Sequence, residues 1–373
     1  MLSDPSPFIY TEGVDMEPDA RDPQPAVRGR GAASNPRNRF EPLFHVPDPD
    51  SDTPPDTAFA TELLRDTSQS ILAYNNSPDV GFDASINAYR GCEHGCIYCY
   101  ARPTHEFLGF SAGLDFETKI LVKPEAATLL RRELSSRRWK PQVVVLSGVT
   151  DPYQPVERRL RLTRACLEVL AEFRNPVAII TKNHLVTRDI DVLGELAQYQ
   201  AASVALSVTS LDSRLSRVRE PRASHPRQRL AAIEALAQAG VPVGMMVAPV
   251  IPGLNEHELP AIITAGKQAG GQFAGYTTLR LPHGVGPLFE RWLDQHAPNK
   301  KAKILNRLRS LRGGRLNDSE FGKRMRGEGR YAEHIAAMFA LACRKAGLVN
   351  KPPRLSTAAF RRLVDGQLTL FDR

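Results

Sequence analysis

No run of about 18 or more apolar residues occurs in the 373-residue chain, so no bilayer-spanning helix is expected. The opening residues, Met1-Leu2-Ser3-Asp4-Pro5, have neither a basic start nor an apolar stretch, so no secretory signal is expected either. Cysteine is scarce, with five residues, and the clustering of three of them leaves no disulfide framework. A reducing, cytoplasmic setting follows as the expectation. No short-period repeat is present, which argues against a solenoid. What remains is the composition of a globular chain, 42% hydrophobic and 24% charged, long enough for one large or two ordinary domains.

The chain's most informative stretch is Gly91-Cys92-Glu93-His94-Gly95-Cys96-Ile97-Tyr98-Cys99-Tyr100-Ala101-Arg102. Its cysteines are spaced C-x-x-x-C-x-x-C, close enough to converge on one metal centre, and thiolate is the usual ligand of iron–sulfur clusters. Three ligands are more telling than four, because a four-iron cluster held by three cysteines leaves one iron open to a small molecule. Two duller readings compete. A zinc ion would take Cys92, Cys96 and Cys99 with His94 or His105 as fourth ligand. Ordinary core cysteines are the other, although they rarely cluster with glycines such as Gly91 and Gly95 placed to bend the backbone.

Around this stretch the pattern is α/β. Residues 1–75 are rich in Pro, Asp, Ser and Arg and read as a disordered arm. Within it, Arg28-Gly29-Arg30-Gly31 and the segment through Phe40 suit either phosphate and base contacts or packing along the rest of the protein. Apolar runs at Val143–Leu146, Val177–Thr181, Val204–Val208, Val243–Val247 and, more weakly, Tyr276–Leu281 alternate with helix-like stretches. Strands without polar alternation are buried on both faces, and strand–helix alternation makes them parallel. A barrel or a doubly wound open sheet satisfies this pattern. Helices are expected near 288–296, 300–311 and 331–346. The resulting division is an arm at 1–75, a core at 76–287, a basic helical extension at 288–350, and a linker and tail at 351–373.

The cysteine stretch, with aromatic Tyr98 before its third cysteine, resembles the signature of the radical S-adenosylmethionine (radical SAM) superfamily. Segments after the apolar runs resemble the branch related to spore photoproduct lyase, a DNA-repair enzyme. The resemblance implies a partial (β/α)6 TIM-type barrel and a [4Fe-4S] cluster on Cys92, Cys96 and Cys99. It further implies reductive cleavage of S-adenosylmethionine to a 5′-deoxyadenosyl radical that abstracts hydrogen from substrate, which requires an electron donor. Lys182 and Ser207 would hold the cofactor's carboxylate and ribose end, with Tyr98, Ser147, Thr150 and Asp151 near cofactor or substrate. Asp151 before Pro152 reads equally as a turn pair. Tyr100 matches a tyrosine implicated in radical transfer, with packing over the cluster as its plainer reading. The lyase's further hydrogen-donating cysteine has no counterpart, since Gln142 and Val143 occupy that region and Cys166 and Cys343 fall on buried helix faces.

The formal charge of +8 is uneven: Lys300 to Arg373 holds 18 Lys or Arg against 6 Asp or Glu. This excess suits a polyanion such as nucleic acid, or simply a well-solvated surface. His283, Arg324 and Arg326 are candidate substrate contacts. The tail Gln367-Leu368-Thr369-Leu370-Phe371 resembles the peptide by which bacterial replication and repair proteins dock on the DNA sliding clamp, with Gln367, Leu368, Leu370 and Phe371 as its contacts. DNA or a DNA lesion is thus the favoured substrate. The rivals are a radical enzyme acting on RNA, a peptide or a small molecule, and a nucleic-acid-binding protein with a structural metal.

Overall fold

The computed structural model describes residues 27–41, 60–146 and 148–363, together with a two-residue antiparallel pairing of Phe8–Ile9 and Val46–Pro47. Six parallel strands make its centre: β1 (Ala84–Ile86), β2 (Val144–Leu146), β3 (Val177–Thr181), β4 (Ala202–Ser207), β5 (Val243–Val250) and β6 (Phe273–Thr278). They lie side by side in chain order, each hydrogen-bonded to the next. Leu72–Tyr74 adds an antiparallel strand outside β1. This is the partial (β/α)6 barrel, and it decides against the doubly wound sheet, whose strand order reverses at a switch point.

The helices are α1 (Ala126–Ser135), α2 (Leu162–Glu172), α3 (Ile190–Gln198), α4 (Pro226–Gln238) and α5 (Leu259–Gln268). Their apolar stripes, such as Cys166, Leu167, Val169 and Leu170 of α2, are buried against the strands in one continuous core. The last strand begins three residues earlier than its apolar run predicts, at Phe273, because Gly271 and Gly275 flank and interrupt the signal. Beyond it, α6 (Val285–His296), α7 (Pro298–Ser310) and α8 (Arg330–Ala346) form the basic extension near their expected positions. The free edge of β6 is covered by this extension: Ala274 N–H donates to Val349 O at 3.0 Å and Thr278 N–H to Met325 O at 2.9 Å. Among the described residues no helix is long and apolar enough to cross a membrane.

Two stretches are more ordered than their composition suggests. Within the arm read as mostly disordered, Glu62–Arg65 and Leu72–Tyr74 are strands and residues 27–41 pack on the cysteine loop. Glu62–Arg65 joins a small side sheet with Lys119–Val122 and Tyr89–Arg90. Residues 351–363, read as a linker, are docked. Arg361 donates to the Phe173 and Glu172 carbonyls through N–H and Nε, and Arg362 reaches the Leu134 and Trp139 carbonyls. The tail contacts Gln367, Leu368, Leu370 and Phe371 lie outside the described residues.

Candidate active site at the open end of the barrel

Six parallel strands bring six loops to one end, and the chemistry-bearing residues of the sequence gather there. The loop after β1 carries the three cysteines. Cys92 and Cys96 are buried, Cys99 is half-buried, and none is in a disulfide. Gly91 and Gly95 take φ of +80° and +64°, the left-handed turns that wrap this loop. Cys92 N–H donates to Phe116 O at 2.8 Å, and Ile97 N–H to Arg219 O at 3.0 Å.

The loop is held from behind by a buried ion pair. Arg102, without solvent exposure, donates to the carbonyls of Cys96, Ala112 and Gly113 and to Glu117 Oε1 at 2.5 Å. Glu117 in turn accepts from the backbone N–H groups of Gly31 and Ala32 at 2.9 and 2.8 Å. Arg30 reaches Glu117 O and Thr61, and Arg39 pairs with Glu106. Arg30 is therefore turned inward and Arg39 tied to Glu106, while Arg28 and Arg37 are exposed, and Phe40 stacks on Phe107 of the protein itself. A Cβ on Gly31 would lie 1.8 Å from Gly95 O, so only glycine permits this approach to the cysteine loop.

The thiols fit a cluster better than a zinc ion. The three cysteines lie close enough to act on one another: burial pushes the Cys92 thiol well up, and Asp151, Cys96 and Cys99 add to it. Both histidines proposed as a fourth ligand are engaged elsewhere. His94 Nδ1 pairs with Asp151 at 3.3 Å and its Nε2 meets Asn183 at 3.2 Å. His105 donates from Nε2 to Lys119 O at 2.9 Å and packs against Phe110 and Phe116. With both histidines engaged elsewhere, three thiols in one loop suit a multinuclear cluster with a corner left open.

After β2, Thr150 donates to Gly91 O at 2.6 Å, and Gln154, which sequence reasoning missed, joins Gly91 O to Glu93 N–H. Ser147 lies outside the described residues. Asp151 forms a turn with Tyr153 N–H, but it also accepts from Thr181 at 2.7 Å and from Lys182 N–H at 2.9 Å. Both readings of Asp151 thus describe one residue that ties the loop after β2 to the end of β3. Burial opposes its ionisation, yet His94 and these hydrogen bonds hold its carboxyl at about 2.

Lys182 follows β3. Burial works against its charge, but Cys96, Glu220 and Asp151 more than compensate and raise it. Its ammonium makes no salt bridge among the described residues and stays available beside Cys96. Glu220, also unforeseen, accepts from Tyr98 OH, Thr209 and Arg229 in a fully buried network. Burial is outweighed by Arg229, Lys182 and Arg219, which hold Glu220 at about 2. Burial and Glu220 keep the Tyr98 phenol protonated. Ser207, at the end of β4, donates to Ala248 O at 3.2 Å. Only the burial of charged residues such as Glu220 and Arg229 sets them apart, and burial is not written in local sequence.

Tyr100 is half-exposed at the mouth, donates to Gly148 O at 2.8 Å and sits beneath Arg280. His283 is exposed on a left-handed turn with φ of +48°. Arg324 is engaged by Asp79 and Ser77, while Arg326 lies over the Tyr276 ring. Cys166 and Cys343 are buried in the main core, so no thiol other than the three of the loop faces the mouth.

The Radical SAM superfamily model matches residues 86–265, the span from β1 through α5. The chain belongs to the radical SAM superfamily; it is a radical SAM enzyme, and membership implies S-adenosylmethionine and an iron–sulfur cluster as cofactors. An uncharacterized protein of Mycobacterium tuberculosis is 36% identical over 299 residues, which span 79% of this chain and 84% of the relative. One of Methanocaldococcus jannaschii is 27% identical over 222 residues, 60% of this chain and 79% of the relative. Among solved structures, spore photoproduct lyase complexed with dinucleoside spore photoproduct matches with a TM-score of 0.52 at 15% identity, over 76% of this chain and 79% of the lyase. A mutant of that lyase with bound AdoMet and the same dinucleoside gives 0.51 at 16% identity, over 76% and 78%. At such identities the likeness is one of fold.

Proposed function

We propose that the protein is a radical SAM enzyme whose substrate is nucleic acid, with a DNA lesion as the favoured form. The carrying observation is the three-thiol loop at the barrel mouth, with Lys182 beside Cys96 and Tyr100 between the loop and Arg280. Cys92, Cys96 and Cys99 would hold a [4Fe-4S] cluster. With S-adenosylmethionine bound and an electron donor present, that centre supplies a 5′-deoxyadenosyl radical for hydrogen abstraction.

The protein's own residues prepare the site. The Lys182 ammonium offers a compact cation to the cofactor's carboxylate. Asp151 fixes the Lys182 backbone, and Glu220 fixes Tyr98 behind the loop. Thr150 and Ser207 belong to the same rim in this reading, as positioning residues through Gly91 and Ala248, and Ser147 is proposed from sequence alone. Tyr100 is the one phenol at the mouth that can meet both cofactor and substrate. Tyr100 is, in this reading, the residue that would relay the radical between substrate and cofactor.

Support for nucleic acid comes from the basic C-terminal part, from the arginines around β6, and from the similarity in fold to a lyase solved with a dinucleoside photoproduct. Reconstituted protein given S-adenosylmethionine and dithionite should form more 5′-deoxyadenosine when ultraviolet-irradiated DNA is added, and DNA affinity should fall steeply with salt. Stimulation by RNA, peptide or small molecules instead of DNA would refute the substrate assignment. For the tail, docking of Gln367, Leu368, Leu370 and Phe371 on a sliding clamp is proposed from sequence. A chain ending at Asp365 that still binds the clamp would dispose of it.

A further inference from the structure

Arg312 lies between α7 and α8, 3% exposed, and among the described residues its guanidinium makes one hydrogen bond, from Nη2 to Thr278 Oγ1 at 3.1 Å. Its Nε and Nη1 are buried with no acceptor. Arg280, two residues past the end of β6, likewise has a buried Nε without an acceptor, and its Nη1 meets only the Met325 sulfur at 3.3 Å. Neither guanidinium takes part in a salt bridge among the described residues. Of the neighbouring carboxylates, Asp79 is occupied by Arg324 and by Gly322 N–H, and Asp318, which offsets the Arg312 charge only in part, accepts from Glu320 N–H and faces Arg315. Two cations that repel each other, with three buried N–H donors unspent, are costly unless an anion completes them. The strain is visible in Arg312, whose guanidinium is brought down to about 10 by burial and then by Arg280.

The position gives this cluster a use. Arg280 lies over the Tyr100 ring, 5.7 Å from its centroid, and Tyr100 follows the last cysteine of the loop. We infer that Arg280 and Arg312 form a phosphate-binding subsite at the end of β6, which seats a phosphate group of the substrate beside Tyr100. The planar forks of two guanidinium groups match the oxygens of a phosphate, which would take up the unspent donors together. The inference rests on the reading that substrate enters at this mouth, and it adds where the substrate's charge is held. Arg324, tied to Asp79 and Ser77, walls the subsite rather than binding in it.

The test is calorimetric titration of the full-length, reconstituted protein with inorganic phosphate at constant ionic strength. Saturable binding is expected, weakened about tenfold or more in Arg280→Gln and in Arg312→Gln. Absence of saturable binding in the parent protein, or unchanged affinity in both variants, overturns the subsite. If Arg312→Gln does not fold, Arg312→Lys keeps the charge without the fork and should weaken binding several-fold; full affinity there also overturns it. Competition between phosphate and a short oligothymidylate would assign the group to a phosphodiester. Phosphate binding without competition supports the subsite and assigns it to a free or small-molecule phosphate. Cofactor cleavage is read separately as 5′-deoxyadenosine, so phosphate binding without cleavage would sink the catalytic reading and leave the subsite standing.

Discussion

Two buried arginines support the same mouth, one behind the loop after β1 and one beside the end of β6. Arg102, behind the cysteine loop, has each of its nitrogens satisfied by a carbonyl or by Glu117. Arg312, at the end of β6, has one hydroxyl and two donors left over. Charge burial is tolerated where the protein supplies the partner, as at Arg102, and marks a binding site where it does not. The cysteine loop is thus built to be rigid before any cofactor arrives, whereas the far wall is completed from outside.

The largest effect is expected on the satisfied side. Glu117→Ala leaves Arg102 as an unpaired buried charge and frees the Gly31–Ala32 segment. It should cost about 3–5 kcal/mol in denaturant unfolding. A loss below about 1 kcal/mol would mean that the pair is not what holds the loop.

A smaller effect concerns the histidine at the back of the loop. Burial, only partly offset by its bond to Lys119 O, lowers the titration of folded His105 to about 4. The unfolded chain titrates near 6.5, so between those values only the unfolded state gains the proton. Stability should therefore be full above about pH 6.5 and fall by about 3 kcal/mol towards pH 4. His105→Phe should flatten that interval; the same slope in both proteins would remove His105 as its cause.

The smallest effect, of opposite sign, belongs to Arg312. Arg312→Met removes an uncompensated cation and should leave stability unchanged or raise it by about 1 kcal/mol in phosphate-free buffer. Strong destabilisation there would erase the contrast with Arg102.

Sequence reading reached the parallel strands because buried strands write themselves as apolar runs, as at Val177–Thr181, whereas the choice of a barrel over an open sheet came from the family resemblance. It reached the cysteine loop because its three cysteines are close in sequence. It slipped at Phe273, where glycine dilutes the run, and it left the Arg30 region open between packing and nucleic-acid contacts, because Glu117, its partner, lies 86 positions from Gly31. Glu220, Gln154 and Arg312 were invisible for the same reason. Their meaning comes from partners, or the lack of them, that only folding brings near. Lys182 was legible because its place just after a strand end is a local property.

The central claim is that Cys92, Cys96 and Cys99 hold a cluster that cleaves S-adenosylmethionine. Anaerobic reconstitution with iron and sulfide, followed by dithionite and S-adenosylmethionine, tests it directly. About four irons per chain and formation of 5′-deoxyadenosine are expected, both lost in Cys92→Ala, Cys96→Ala and Cys99→Ala. One zinc per chain with no 5′-deoxyadenosine, or cleavage that survives any of these substitutions, would contradict it.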